Sequence, residues 1–340
     1  MAEAAANCLL RYAIKENTML EVDAYTDLEE VKRLWVKHWP QRCLFDLWPV
    51  RACFQAQFNH SPYFLVARQG GKFRGMLALS WIDEEQCYGH FPGEIWHGKT
   101  WLEQNQIIAD DPEICSILLN HIPATARIRY LTLPSYLVDD PLAVVDEVGY
   151  LFYPQQYDGS FQTYLQGFSG KSRKKFRCEL NRLTAGGVSY RYDNFADVEQ
   201  LFRMNLENFD AQSYFSDPRF LKSFEKLAAW LHANRLLRVT TVLIGGRVAA
   251  VDIGAVWGST YTVLAGGTHA DFPGVAKLIN FHHIEWACQQ GLMEVDFLCG
   301  DFNWKNRFHL TPRPLYEIMK LQAPASWQDA VFSRNEARAY

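Results

Sequence analysis

Leu264-Ala265-Gly266-Gly267-Thr268-His269-Ala270-Asp271-Phe272-Pro273-Gly274-Val275-Ala276-Lys277 is the stretch on which the reading of this sequence turns. An apolar run, Tyr261-Thr262-Val263-Leu264-Ala265, enters paired glycines, then Pro-Gly, then the start of an amphipathic segment. Strand, glycine loop and helix N-terminus in that order leave backbone N–H groups free to hold an anion such as a pyrophosphate. Glycine also lets a ligand approach the backbone closely. An ordinary strand-to-helix connection reads the same way, so the surroundings must decide. The stretch has neither a G-x-G-x-x-G fingerprint nor a Walker lysine, which argues against dinucleotide and ATP sites.

Around it the elements repeat. In the second half, helices are expected over 197–208 (Val198, Leu201, Phe202) and 217–232. A hairpin over 237–253 turns at Gly245-Gly246, and a strand over 261–265, a helix over 275–290 and a strand over 294–298 follow. The first half has a helix with Asp27 as N-cap and Glu30 three residues on, its apolar face Leu28, Val31, Leu34 and Trp35. A hairpin over 63–79 turns at Gly70-Gly71, a helix begins at Asp111-Pro112, and a strand covers 128–133. The two Gly-Gly turns lie 175 residues apart (245 − 70). This repeated order points to an α/β (α+β) chain of two duplicated domains, 1–150 and 151–340, each a twisted mixed sheet flanked by helices. Residues 139–167, rich in Tyr, Gln and Gly, read as a less regular connection.

Bulk properties narrow the function. A chain of 340 residues has room for two domains at roughly 150 residues each. With 49% hydrophobic and 21% charged residues it can build a core, and a net charge of −4 argues against nucleic acid as a bulk partner. The start, MAEAAANCLLRYAIKEN, reads as no signal peptide, and no run approaches the roughly 18 apolar residues of a membrane span. Eight scattered cysteines without a CxxC pair fit a reducing cytoplasm better than a disulfide framework. His282 and His283 are adjacent, so on a helix they diverge by about 100°, and no metal site is expected.

Two further features carry chemistry. Cys299-Gly300-Asp301-Phe302-Asn303-Trp304-Lys305-Asn306-Arg307-Phe308 follows the last strand of the repeat, where open α/β sheets keep their sites. Asp252 is an acid within the apolar run 248–256, and a buried carboxylate needs a partner or a raised pKa. A basic run, Lys171, Arg173, Lys174, Lys175 and Arg177, leads into the second half as a solvated helix face or a surface steering an acidic partner.

SGKSRKKFRCELNRL, the Gly245-Gly246 hairpin, the Phe272–Lys277 loop and FLCGDFNWKNRF followed by Pro314-Leu315-Tyr316 together resemble the FemAB/CelD-like branch of the GNAT superfamily. The match covers roughly residues 150–320. The resemblance implies a tandem GNAT fold and an acyltransferase. Acetyl-CoA, a longer acyl-CoA or an acyl carrier protein would lie along Val263, Leu264 and Ala265. Its pyrophosphate or phosphopantetheine would meet Gly266, Gly267, Phe272, Gly274, Val275, Ala276 and Lys277. Trp304 stands where the family has a tyrosine, and an indole cannot serve as a general acid.

The expected reaction is direct attack of an amine on a thioester. It needs alignment, a backbone N–H on the carbonyl and a proton acceptor. Asp252, Asp301 and His269 are the candidate acceptors. Lys305 is assigned to an anionic part of the acceptor, with Tyr261 and Trp304 as further substrate contacts. The acceptor would be an amine-bearing small molecule, an amino-sugar or a peptide. Two rival readings are aminoacyl transfer from tRNA, as in FemAB relatives, and a catalytically silent GNAT pair acting as a binding subunit. The first-half counterpart of the loop, Phe91 to Trp96, carries an acid and bulky aromatics, so that half is expected to have lost its donor site.

Overall fold

The computed structural model describes residues 19–138, 141–300 and 305–321. In chain order the strands are β1 (Leu20–Tyr25), β2 (Ser61–Gln69), β3 (Lys72–Ile82), β4 (Cys87–His90), β5 (Ile108–Ala109), β6 (Ala126–Leu131), β7 (Ala143–Phe152), β8 (Val188–Tyr192), β9 (Leu237–Ile244), β10 (Arg247–Trp257), β11 (Thr260–Thr268), β12 (Glu294–Cys299) and β13 (Thr311–Lys320). The helices are α1 (Leu28–His38), α2 (Trp48–Phe58), α3 (Pro112–Asn120), α4 (Ser135–Val138), α5 (Phe161–Gln166), α6 (Gly170–Thr184), α7 (Asp197–Phe209), α8 (Pro218–Ala233) and α9 (Val275–Gln290).

Local chemistry explains most boundaries. Asp27, Asp111 and Asp217 cap α1, α3 and α8 by accepting from Glu30, Ile114 and Arg219 backbone N–H groups. Pro112 and Pro218 stand at the first helical position, where no partner for an N–H is lost. Both hairpins turn on glycines with positive φ, Gly70-Gly71 and Gly245-Gly246.

The thirteen strands of the described residues form one sheet in the order β1-β2-β3-β4-β6-β13-β7-β12-β11-β10-β9-β8, with β5 on β3. The first-half strands make one wing and β8 to β12 the other. Between them the halves trade strands. β7, which ends the first half, pairs antiparallel with β12 of the second. β13, which ends the second, pairs antiparallel with β6 of the first. β7 and β13 pair with each other at the centre, as in a two-fold exchange. Residue 150 lies inside β7. The irregular connection expected over 139–167 is instead a ten-residue strand, a 3-10 turn and α5. Its Gly149 is needed because the Arg313 guanidinium lies over it, 3.0 Å from where a Cβ would stand.

Ion pairs stitch the seam: Arg127 to Glu317 at 2.7 Å, Arg129 to Asp146 at 2.7 Å, and Arg313 to Asp296 at 3.0 Å. Half-buried or buried pairs of this kind fix register more than they add stability. A shared apolar core adds cohesion. Phe45, Phe54 and Trp101 of the first half pack with Phe220, Phe224 and Leu227 of α8, with Trp101 and Phe224 ring centroids 4.6 Å apart.

Because core and sheet cross the midline, the two halves should unfold together. Phe224→Ala is expected to cost about 3–5 kcal/mol in urea denaturation, in one transition that carries probes in both halves. Two resolved transitions in the parent protein would show independent halves.

Candidate active site

β11 and β12 are parallel, but their register holds only for Thr260 to Thr262 against Glu294 to Asp296. Beyond that the strands splay. On its other edge β11 carries a bulge: Ile253 pairs with Ala265 and Gly254 with Val263, leaving Leu264 without a partner. The backbone of Val263, Leu264, Ala265 and Gly266 therefore borders an opening in the sheet. A cleft of about 470 Å³ occupies it. Ala276 and Ile279 of α9 line one end, on the sheet face where Asp252 points. Tyr214, Phe215 and Phe224 line the other, on the face carrying Val251, Ile253 and Ala255. The cleft thus passes through the sheet.

Two devices keep β12 away from β11. Leu298 and Gly300 have φ of 57° and 103°, which turns the strand end aside. The Lys305 ammonium donates to the carbonyls of Phe297, Leu298 and Cys299 at 2.8–2.9 Å. Burial depresses the Lys305 pKa, partly offset by Glu103 and other negative neighbours. These contacts make Lys305 a tie on the strand end, where an anion-holding role in acceptor binding was expected.

The glycines of the opening stretch need correction. Gly266 and Gly267 lie within β11, not in a loop. A Cβ on Gly266 would stand 2.3 Å from Asp252 Oδ1, and one on Gly267 2.6 Å from the Leu201 carbonyl, so neighbouring groups require them. The connection proper is residues 269–274. Gly274 is the N-cap of α9 with φ 93° and no side-chain cap, and the first turn holds no acid. Only Leu183 Cδ1, at 3.8 Å, comes near a Cβ built on Gly274, so the space above this helix start is open.

Asp252, buried on β10 opposite Gly266, accepts from His283 Nε2 at 2.9 Å. His283 is fully buried and its Nδ1 lies 3.5 Å from the Tyr261 hydroxyl. Tyr261 sits behind this pair, packed on Gly254 and Trp286, and does not line the cleft as a substrate contact would. His269 is also away from it, accepting from the Asp271 backbone and packing on Phe272. Lys277 pairs with Glu179 of α6 and lies over Phe176, and Phe272 lies under Arg247. Asp301 and Trp304 fall outside the described residues. Among the described residues, no group of three His, Cys, Asp or Glu is placed to hold a metal.

The first half contributes a wall that sequence reading missed: Lys99, Thr100, Trp101, Glu103, Tyr130 and Glu147. Glu103 is buried at 2% exposure, its Oε1 accepting from the Cys299 N–H at 2.6 Å and its Oε2 from Arg313 at 3.3 Å. Burial, then the charge of Asp296, raise its pKa to about 7 against the pull of Arg313. The first half's own split, between β4 and β6, is closed. Those strands share one pair, Tyr88 with Ala126, and Asn105 is laid alongside Leu131, giving its N–H to Tyr130 and its carbonyl to Thr132. A cavity of about 30 Å³ remains there.

A split between two parallel strands, a bulge on one of them and an open helix start beyond it fit one family. Residues 170–306 match an acetyltransferase (GNAT) domain. The second half of the chain carries this GNAT domain. The domain marks the protein as an acyltransferase, and its fold is similar to that of tandem GNAT proteins and FemX. It is similar to FemX at TM-score 0.53 and 11% identity, over 87% of this chain and 96% of that one. A tandem GNAT protein from the clavulanic acid biosynthesis pathway is similar at 0.51 and 14%, over 90% and 100%. A conserved protein of unknown function from Bacteroides thetaiotaomicron VPI-5482 is similar at 0.56 and 11%, over 89% and 100%. At these identities the likeness concerns the fold. No curated protein matches the sequence.

The raised carboxyl of Glu103 makes a prediction about stability. The folded chain holds its proton more tightly than the unfolded chain, whose ordinary value is 4.5. Its contribution is fully present below about pH 4.5 and is lost as pH climbs through about 7. Glu103→Gln should therefore gain melting temperature relative to the parent between pH 5 and pH 8 by calorimetry. A difference that stays flat with pH would show an unperturbed carboxyl.

Proposed function

We propose that this protein is an N-acyltransferase that moves an acyl group from a pantetheine thioester to an amine by direct attack. The observation that carries the reading is the split between β11 and β12, with its unpaired bulge at Leu264. An extended pantetheine can lie along Val263, Leu264 and Ala265 and complete the ladder that β12 abandons. A backbone N–H at the bulge would polarise the thioester carbonyl. The pyrophosphate would rest at the start of α9, over Phe272, Gly274, Val275 and Ala276, where the helix dipole favours an anion and the Val275 N–H is turned back to the Phe272 carbonyl, leaving Gly274 and Ala276 as the donors. On this reading the donor belongs to the domain 151–340, and the first half has no donor site of its own.

Asp252 with His283 is the pair we assign to proton movement on the donor side. It would accept a proton as the C–N bond forms and supply one to the leaving sulfur, a task that the indole of Trp304 cannot perform. Asp301 and His269 remain the alternatives. Lys305 keeps the strands apart. The donor's carrier is coenzyme A or an acyl carrier protein. Helix α6 flanks the donor mouth through Lys277–Glu179 and Leu183. Its Lys171, Lys174, Arg177 and Arg182 are exposed and have no ion-pair partner among the described residues, which suits a polyanionic carrier.

Calorimetric titration with acetyl-CoA, longer acyl-CoAs and acylated carrier protein tests the donor class. Binding of none of them, with turnover on an aminoacyl-tRNA, would overturn the thioester reading. Ala276→Glu locates the phosphates. An acid in the first turn favours the helix, so the melting temperature should hold while CoA affinity falls about tenfold or more. Asp252→Asn should slow the chemical step by roughly 10²–10⁴ with donor affinity little changed. Were Asp252 only structural, the melting temperature would drop and activity would fall no further than the folded fraction.

A further inference from the structure

Glu103 and Asp296 share one guanidinium, that of Arg313. All three are buried or nearly so. The nearest other charges on the cleft wall are Lys305, whose ammonium is held by the end of β12, and Glu147 of β7. Arg129 of β6 is neutralised by Asp146. Among the described residues, the remaining titratable neighbours of Glu103 are uncharged groups, Cys299 of β12, Tyr130 of β6 and Tyr214, all shifted upward and so held protonated. Among the described residues, four carboxylates, Glu103, Glu147, Glu294 and Asp296, therefore face two cations. Asp296 is closed off by Gln104, Arg313 and the Leu298 N–H. Glu103 and Glu147 both line the cleft, and of the two Glu103 is the buried one that shares Arg313. A buried cluster short of cations either takes up a proton or receives a cation from outside.

The wall beside Glu103 is apolar. Trp101, Phe215 and Phe224 line the cleft on the face opposite α9, and Phe209 stands exposed at its rim. We propose that this wall is the acceptor subsite, and that it takes a primary amine carried on an apolar body, with Glu103 receiving the ammonium. This rests on the acyl-transfer reading above and gives the first half of the chain its part in it. The donor enters from the α9 side, the amine from the other, and they meet in the split. Glu103 takes one proton from the ammonium, and the freed lone pair forms the C–N bond as the C–S bond breaks. The second N–H proton leaves by way of Asp252 and His283 and ends on the departing thiol. A hydroxylated sugar amine would leave its hydroxyls unpaired against the aromatic wall.

The probe is octylamine, with 1-octanol as its uncharged match and glucosamine as the polar amine. Binding is followed by calorimetry and by Trp101 emission, with Trp101→Phe as the reference for the optical change. Octylamine should bind at least tenfold tighter than octanol or glucosamine. Its affinity should rise with pH through about 7, as Glu103 ionises, and fall again near pH 10 as the amine loses its charge. Glu103→Gln retains an acceptor for the Cys299 N–H. It should cut octylamine affinity at least tenfold, abolish the rise near pH 7 and leave acetyl-CoA affinity unchanged. Equal binding of octylamine and octanol, or an unaltered pH profile in the Gln variant, overturns the proposal. Glu103-dependent amine binding in a protein that binds no thioester would instead overturn the donor reading and keep the amine subsite.

Discussion

The ladder between β11 and β12 stops after three residue pairs, and the site depends on that stop. Parallel strands that diverge leave backbone donors and acceptors facing an opening, a state that buried backbone tolerates only when something else meets them. Here the divergence is held from both sides. On β12 the turn at Leu298 and Gly300 and the ammonium of Lys305 draw the strand end away. On β11 the extra residue at Leu264 changes the twist at the same level. α9 then rises from Gly274 with its first N–H groups free of any side-chain cap. The opening, the bulge and the helix start are one construction.

The strand exchange places the opening where two surfaces can reach it. β7 comes from the first half and lies against β12, so the first half cannot drift from the mouth of the cleft. The segment around Asn105 is used twice. It closes the split between β4 and β6, and its neighbours Trp101 and Glu103 face the split that stays open. The two halves thereby play unlike parts, one holding the opening and the other walling it.

Much of this was legible along the sequence. The aspartate caps, both Gly-Gly hairpins and helix α9 follow from local rules, and each sits where those rules put it. The exchange was hidden because β7 and β13 have partners that no local pattern specifies, and β7 carries Asp146 and Glu147 where a buried strand would be apolar. Gly266 and Gly267 misled for a physical reason. A missing Cβ can make room for a ligand or for a neighbour's side chain, and the sequence alone does not tell Asp252 from a phosphate. Glu103 was overlooked although the argument that singled out Asp252 applies to it: an acid beside Trp101 and Leu102 in a run that reads as buried. What the sequence lacked was the guanidinium, 210 positions away at Arg313.

The exchange also sets a timetable for biosynthesis. β6 is complete at Leu131, but its neighbour β13 ends at Lys320, 189 residues later (320 − 131). At roughly 5–20 residues per second, the interval on the ribosome is on the order of 10–40 s. For that time the nascent first half carries an open edge on β6 and an unplaced β7, the kind of surface that recruits strands from other chains. The cell must shelter this edge, or outpace its aggregation, until β13 emerges to fill the gap.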